Sequence, residues 1–354
     1  MSKKISSIEI DKKKINSNTL PYVVAEISGN HNGKLSNLKS LILKAKKAGC
    51  DAVKIQAYQA NTITLNSRKK HFLIKKDNTW RKYRNLFSLY KKAETPFSWY
   101  KEIFKYCKKI KITVFASVFD RSSVDLLEKL KCPAYKIASP EITDIPLISY
   151  VAKTKKPVIL SNGLANLSDL KLAHKTIKKQ KNNKIIILKC TSAYPAPLNE
   201  INLASMKKLK KIFNCHIGFS DHTIGINVPV HASSLGAVMI EKHICLNKKN
   251  KTVDSFFSST PEDFSKMINI IKDNKISTGN DTLNISKSSR KNINGRRSLY
   301  VVRDIKKGEK INLDNVRSVR PRYGLHPKFF NKVLNKRAKI NLEAGNPLKL
   351  SYLR

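Results

Sequence analysis

Eight short runs of β-branched and apolar residues recur along the first stretch of the chain, each separated from the next by a longer, lysine-rich amphipathic segment. That alternation restricts the chain to folds built from strand–helix–strand units around a parallel sheet and argues against a sandwich. The runs are Tyr22 to Ile27, Ala52 to Ala57, Ile112 to Ser117, Ala134 to Ala138, Pro157 to Ser161, Lys184 to Lys189, His216 to Ser220 and Ala237 to Lys242. Among the intervening segments, Leu35 to Ala48 places Leu38, Leu41, Ile42 and Ala45 on one helical face and lysines on the other, with Gly49 following as a C-cap. Eight strands alternating with helices fit a (β/α)8 TIM barrel. An open doubly wound sheet is the alternative, because spacing alone does not prove closure.

Two regions break the rhythm. The connection from Asn61 to Trp99 is too long for a plain barrel turn and reads as a lid or substrate loop, partly packed through Phe72, Trp80, Tyr83, Phe87 and Tyr90. Beyond residue 279 the polar stretch 280–294 reads as a linker, and residues 295–354 carry short strand-like runs broken by Gly308, Pro321, Gly324 and Gly345. The expected organisation is a barrel domain over 1–279 and a small β-rich domain at the C-terminal end, within 354 residues.

The formal charge of +45 invites a polyanion partner. Lysines are spread along the whole chain, however, with abundant isoleucine and asparagine, which is the pattern of a general lysine bias and not of a dedicated basic arm. No specific nucleic-acid partner is expected. No apolar run reaches the roughly 20 residues of a membrane helix, so no membrane association is expected either. The first residues lack an apolar segment of the secretory kind, and a cytoplasmic location is the expectation. The six cysteines stand singly and read as reduced thiols.

In a barrel, functional side chains gather where strands end at the C-terminal face. Here those positions hold Glu26, Lys54 with Gln56, Ser117, Lys136 with Ser139 and Glu141, Ser161, Ser192 with Tyr194, Asp221 with His222, and Glu241 with His243. A lysine buried on a strand needs a countercharge; an anionic ligand would supply one, and an internal salt bridge is the competing reading. His222 and His243 end consecutive strands, so a shared barrel mouth would let both hold one divalent ion. Without the barrel they read as two ordinary histidines. Two imidazoles with open positions suit a Lewis acid, Mn²⁺ or Mg²⁺, more than a closed structural site. Asn30-His31-Asn32-Gly33 adds amide and imidazole groups near a turn.

Taken together, Ala25-Glu26-Ile27-Ser28-Gly29-Asn30-His31-Asn32-Gly33, Lys54-Ile55-Gln56, Tyr135-Lys136-Ile137-Ala138-Ser139, Ser220-Asp221-His222-Thr223 and Glu241-Lys242-His243 resemble the sialic acid synthase family. The likeness continues through Cys190-Thr191-Ser192-Ala193-Tyr194-Pro195 and Arg297-Ser298-Leu299-Tyr300. It implies a metal-dependent barrel followed by an antifreeze-like (SAF) domain that, in a domain-swapped homodimer, covers the partner's site. The implied reaction condenses phosphoenolpyruvate with an amino-sugar aldehyde and water, giving a nonulosonic acid and phosphate by C–O cleavage.

By that resemblance His222 and His243 would hold the metal, and Lys54, Ser117, Lys136, Ser139, Ser161, Ser192 and Ser220 would surround phosphoenolpyruvate. Glu26, Gln56, Glu141, Tyr194 and Asp254 match positions near the sugar or the attacking water, and Arg320 would reach across from the second subunit. Val253-Asp254-Ser255-Phe256-Phe257-Ser258, Leu86-Phe87-Ser88-Leu89-Tyr90 and Thr95-Pro96 look unlike the neuraminic branch. Apolar Phe256 and Phe257 would suit a 6-deoxy sugar, implying 2,4-diacetamido-2,4,6-trideoxy-altrose as co-substrate, with core packing the competing reading for either ring. Asn162, Leu164 and Pro140 depart from the family pattern, which bears on substrate preference and not on reaction class. The alternatives are a synthase for N-acetylneuraminic or legionaminic acid and, in another class, a noncatalytic anion or nucleic-acid binder.

Overall fold

A computed structural model describes residues 5–249 and 251–354. The chain forms two compact units, Met1–Gly279 and Asn280–Arg354. The first opens with a small hairpin of β1 (Ile8–Ile10) and β2 (Lys13–Ile15). Its two-residue turn places Asp11 and Lys12 at φ 47° and 67°, the mirror-image turn that matches strand twist. Ile8, Ile10 and Ile15 are buried in the main core.

Eight parallel strands follow: β3 (Tyr22–Glu26), β4 (Ala52–Ala57), β5 (Thr113–Val118), β6 (Tyr135–Ile137), β7 (Val158–Ser161), β8 (Ile185–Cys190), β9 (His216–Asp221) and β10 (Met239–His243). They close into a barrel because β10 pairs with both β9 and β3. The expected TIM barrel is therefore the fold, and the open sheet is excluded. Strand ends differ from the sequence reading by one or two residues. The helix expected at Leu35 runs to Lys47; Gly49, at φ +93°, donates to Lys46 O and Cys50 donates to Ala45 O. That pair of hydrogen bonds closes the helix in a Schellman cap, which requires a left-handed residue.

Period-two alternation decides which residues enter the barrel. On β10, Glu241 and His243 share one face and Lys242 takes the other; on β9, Ser220 is inside and Asp221 outside. The outward residues meet: Lys242 Nζ lies 2.6 Å from Asp221 Oδ2 and donates to Thr223 O at 2.7 Å, with both side chains fully buried. Asp221 Oδ1 accepts from the Thr223 backbone and hydroxyl.

The long connection after β4 is ordered by short helical pieces, the longest being Leu86–Ala93. Leu89, Ala93 and Val253 form a separate apolar cluster with Ile74, Trp80, Tyr83 and Tyr90 against it. In the second unit, 280–294 contains the short helix Lys287–Arg290, and β11 (Ser298–Val301) pairs antiparallel with β12 (Val316–Val319). The rest of this unit is joined by single bridges around a core that includes Leu299, Ile311, Val316 and Leu348. Among the described residues, no helix is long and apolar enough to cross a membrane.

Candidate active site

One cavity at the C-terminal ends of the strands is lined by Glu26, Lys54, Gln56, Ser117, Lys136, Ser139, Ser161, Ser192, Tyr194, Ser220, His222 and His243, together with Glu241 and Cys190. At its centre, Lys54 Nζ sits 2.6 Å from Glu26 Oε2 and 3.7 Å from Glu241 Oε1, and donates to Ser117 Oγ at 2.7 Å. Lys136 Nζ donates to Glu241 Oε1 at 2.7 Å, and Ser220 Oγ donates to the same oxygen at 3.1 Å. Gln56 Nε2 donates to Glu26 Oε1 at 2.9 Å. The buried lysines thus have internal carboxylate partners, so their burial alone does not demand an anionic ligand.

Burial pushes the Glu26 carboxyl up against the pull of Lys54, whereas Glu241, despite burial, is held down to about 2 by Lys136 and Lys54. Burial also lowers Lys136 against the pull of Glu241, so the charge balance among Glu26, Lys54, Lys136 and Glu241 does not by itself call for an anion. Glu241 is absent from the site residues expected by resemblance, although Glu241-Lys242-His243 is one of the motifs that carry it. The sequence does hold the signal: two residues before His243, Glu241 must share that residue's face of β10.

The His222 and His243 ring centroids lie 5.5 Å apart. His222 Nδ1 is 2.9 Å from Thr191 O, which fixes a proton there; against burial, Cys190 and that carbonyl raise the imidazole, so Nε2 has to give up its proton before it can bind a metal ion. His243 is buried, its Nδ1 has no hydrogen-bond partner, and Asp254 Oδ2 lies 3.9 Å from that nitrogen. Burial, reinforced by His222 and the nearby lysines, lowers His243 well below the usual imidazole range and keeps it neutral. Among the described residues no group of three or more His, Cys, Asp or Glu is arranged to hold a metal ion. An ion here would rest on two imidazoles and exchangeable ligands, and the orphaned His243 nitrogen fits that role. Cys190 Sγ lies 3.9 Å from His222 Nδ1; against burial, His222 holds this thiol down at about 7.

Next to His222, on the far side of Cys190, Ser139 and Ser192 gather around Gly163, whose N–H donates to Ser139 Oγ at 2.8 Å. A Cβ on Gly163 would lie 2.2 Å from Ser192 Oγ, 2.9 Å from Ser139 Oγ and 3.0 Å from Cys190 Sγ. Only glycine lets these groups converge. Gly163→Ala should therefore displace the hydroxyls and lower kcat/KM by about 100-fold, the cost of roughly ångström-scale misplacement. Circular dichroism should remain unchanged, and a Gly163→Ala chain of full activity would show that the cradle is not used.

Three expected site residues do not line the cavity. Glu141 is largely buried beside it, and burial raises its carboxyl to about 7. Asp254 is buried next to His243 and is raised by burial against hydrogen bonds from Ser28 and Gly29. Arg320 is exposed in the second unit, in a groove with Arg296, Arg297 and His326. Asn30 and His31 prove to be scaffold. Asn30 Nδ2 donates to Ile244 O and Ser258 Oγ, and His31 is buried against Thr95 and Trp99.

A closed barrel whose mouth joins paired imidazoles to lysines, carboxylates and a hydroxyl cradle has the makings of an enzyme active site. The NeuB family model matches residues 41–282 and the SAF domain model residues 296–354. The chain belongs to the NeuB family. It is 43% identical to the pseudaminic acid synthase of Helicobacter pylori, over 93% of this chain and 96% of that protein. It is 37% identical to the N,N'-diacetyllegionaminic acid synthase of Campylobacter jejuni, over 90% and 96%. The solved N-acetylneuraminic acid (sialic acid) synthetase of Leptospira borgpetersenii superposes with a TM-score of 0.72 at 28% identity, covering 82% of this chain and 95% of that one.

Proposed function

We propose that this chain condenses phosphoenolpyruvate with 2,4-diacetamido-2,4,6-trideoxy-altrose and water, giving pseudaminic acid and phosphate. The carrying observation is that His222 and His243 share one cavity with Lys54, Lys136 and the serine cradle. The higher identity to a pseudaminic than to a legionaminic acid synthase supports the sugar chosen. An N-acetylneuraminate or legionaminate synthase is the sibling reading.

In this reading Lys54 and Lys136 neutralise the carboxylate and phosphate of phosphoenolpyruvate, and Ser117, Ser139, Ser161, Ser192 and Ser220 orient it by hydrogen bonding. A divalent ion, Mn²⁺ or Mg²⁺, held by His222 and His243 would supply Lewis-acid polarisation of the sugar aldehyde. C3 of phosphoenolpyruvate forms the new C–C bond to the aldehyde carbon, water adds at C2, and the C2–O bond to phosphate breaks. Glu141, raised by burial to about 7, is suited to exchange a proton near neutral pH; Glu26, raised by burial against the pull of Lys54, is the second candidate, and Gln56 orients it. Tyr194 and Asp254 flank the imidazoles on the sugar side. The enzyme would work in the cytoplasm as a domain-swapped homodimer, each Arg320 serving the partner's site; its exposure in a basic groove supports that role.

The test is phosphate release and product mass with phosphoenolpyruvate and either the altro- or a manno-configured sugar. The altro sugar should give the higher kcat/KM. Equal or better use of the manno sugar would sink the pseudaminic assignment and leave the synthase assignment standing.

A further inference from the structure

The long connection after β4 delivers one side chain to the edge of the site. Trp80, half-buried, donates its indole N–H to Val253 O at 3.0 Å. Its ring meets Tyr194 edge-on at 5.4 Å between centroids and Phe256 at 6.1 Å. Tyr194 in turn lies 4.5 Å from His222 and 5.2 Å from Phe257, and Phe257 lies 4.7 Å from His243. A continuous aromatic wall therefore runs from the imidazoles outward to Trp80.

Phe257 is buried behind the imidazoles, only 2% exposed, whereas Phe256 is 39% exposed. Phe257 thus serves packing, and the rings free to meet a ligand lie further out. With the indole N–H engaged by Val253, Trp80 offers carbon and no donor to whatever passes it. A substrate with its aldehyde at the imidazoles and its acid partner at the lysines extends its far end along this wall.

We propose that Trp80 is a specificity-determining residue, forming with Phe256 an apolar subsite for the deoxygenated end of the sugar. This rests on the synthase reading given above. A carbon-lined subsite accepts a terminal methyl and leaves an added hydroxyl without a partner. Such pockets discriminate by about 10- to 100-fold, because an added hydroxyl is penalised only by its lost hydration.

The test compares kcat/KM for the 6-deoxy altro sugar and its 6-hydroxy analogue, with phosphoenolpyruvate, in the wild-type chain, Trp80→Ala and Trp80→Gln. The wild-type preference for the 6-deoxy sugar should fall to within about threefold in Trp80→Ala, and Trp80→Gln should improve relative use of the hydroxylated sugar. An unchanged ratio with equal losses for both sugars would mean that Trp80 only anchors the insert, and the proposal fails. If Trp80→Ala does not fold, the ratio in Trp80→Gln decides. A wild-type chain inactive on both altro sugars overturns the pseudaminic reading on which this proposal rests, whereas an active chain with an unchanged ratio overturns this proposal alone, so the two failures are distinguishable.

Discussion

His243→Ala is expected to lower kcat/KM by about a thousandfold or more, corresponding to roughly 4 kcal/mol of lost transition-state stabilisation. His222→Ala should behave alike, because the two rings stand 5.5 Å apart at the tips of adjoining strands and neither alone can hold an ion firmly. Mn²⁺ affinity, measured by titration calorimetry on chelator-treated protein, should fall in parallel with activity. Unaltered turnover in either variant would remove the metal from the account. Nonspecific binding to polyanions should stay as it was, since neither imidazole contributes much beside the formal charge of +45.

The second large effect is on stability. Asp221→Asn should cost about 3–5 kcal/mol, because it leaves the Lys242 ammonium buried without its countercharge. The pair lies on the outer face of the barrel wall, 2.6 Å apart and shut off from water. The amide oxygen put in place of the carboxylate would still accept from Thr223, so the loss isolates the charge. Adding Lys242→Met should restore most of the stability, since an apolar side chain needs no partner there. Urea unfolding measures both; a loss below about 1 kcal/mol in the single variant would show that Lys242 is neutral or finds another partner.

The barrel was legible because its cause is local: apolar runs at strand length and amphipathic segments at helix length each declare themselves within a few residues. The meeting of His222 with His243 followed, since strands that neighbour in sequence neighbour in this fold. Facts requiring three dimensions were less accessible. That Lys136 would reach Glu241, more than 100 positions away, depends on barrel radius and side-chain length, which a one-dimensional pattern does not encode. Gly163 carries no chemistry of its own and matters only through what surrounds it. The second unit read as β-rich, yet outside the β11–β12 ladder its strand pairing is by isolated bridges, because turns interrupt it before further ladders can lengthen.

Closure of the barrel by β10 against β3 has a temporal side. The strand at Tyr22–Glu26 leaves the ribosome first among the eight, and one edge of it stays unsatisfied until Met239–His243 has been made. At usual synthesis speeds that interval lasts on the order of tens of seconds. Throughout it a nascent chain displays an open, apolar edge, the kind of surface that sticks to its neighbours.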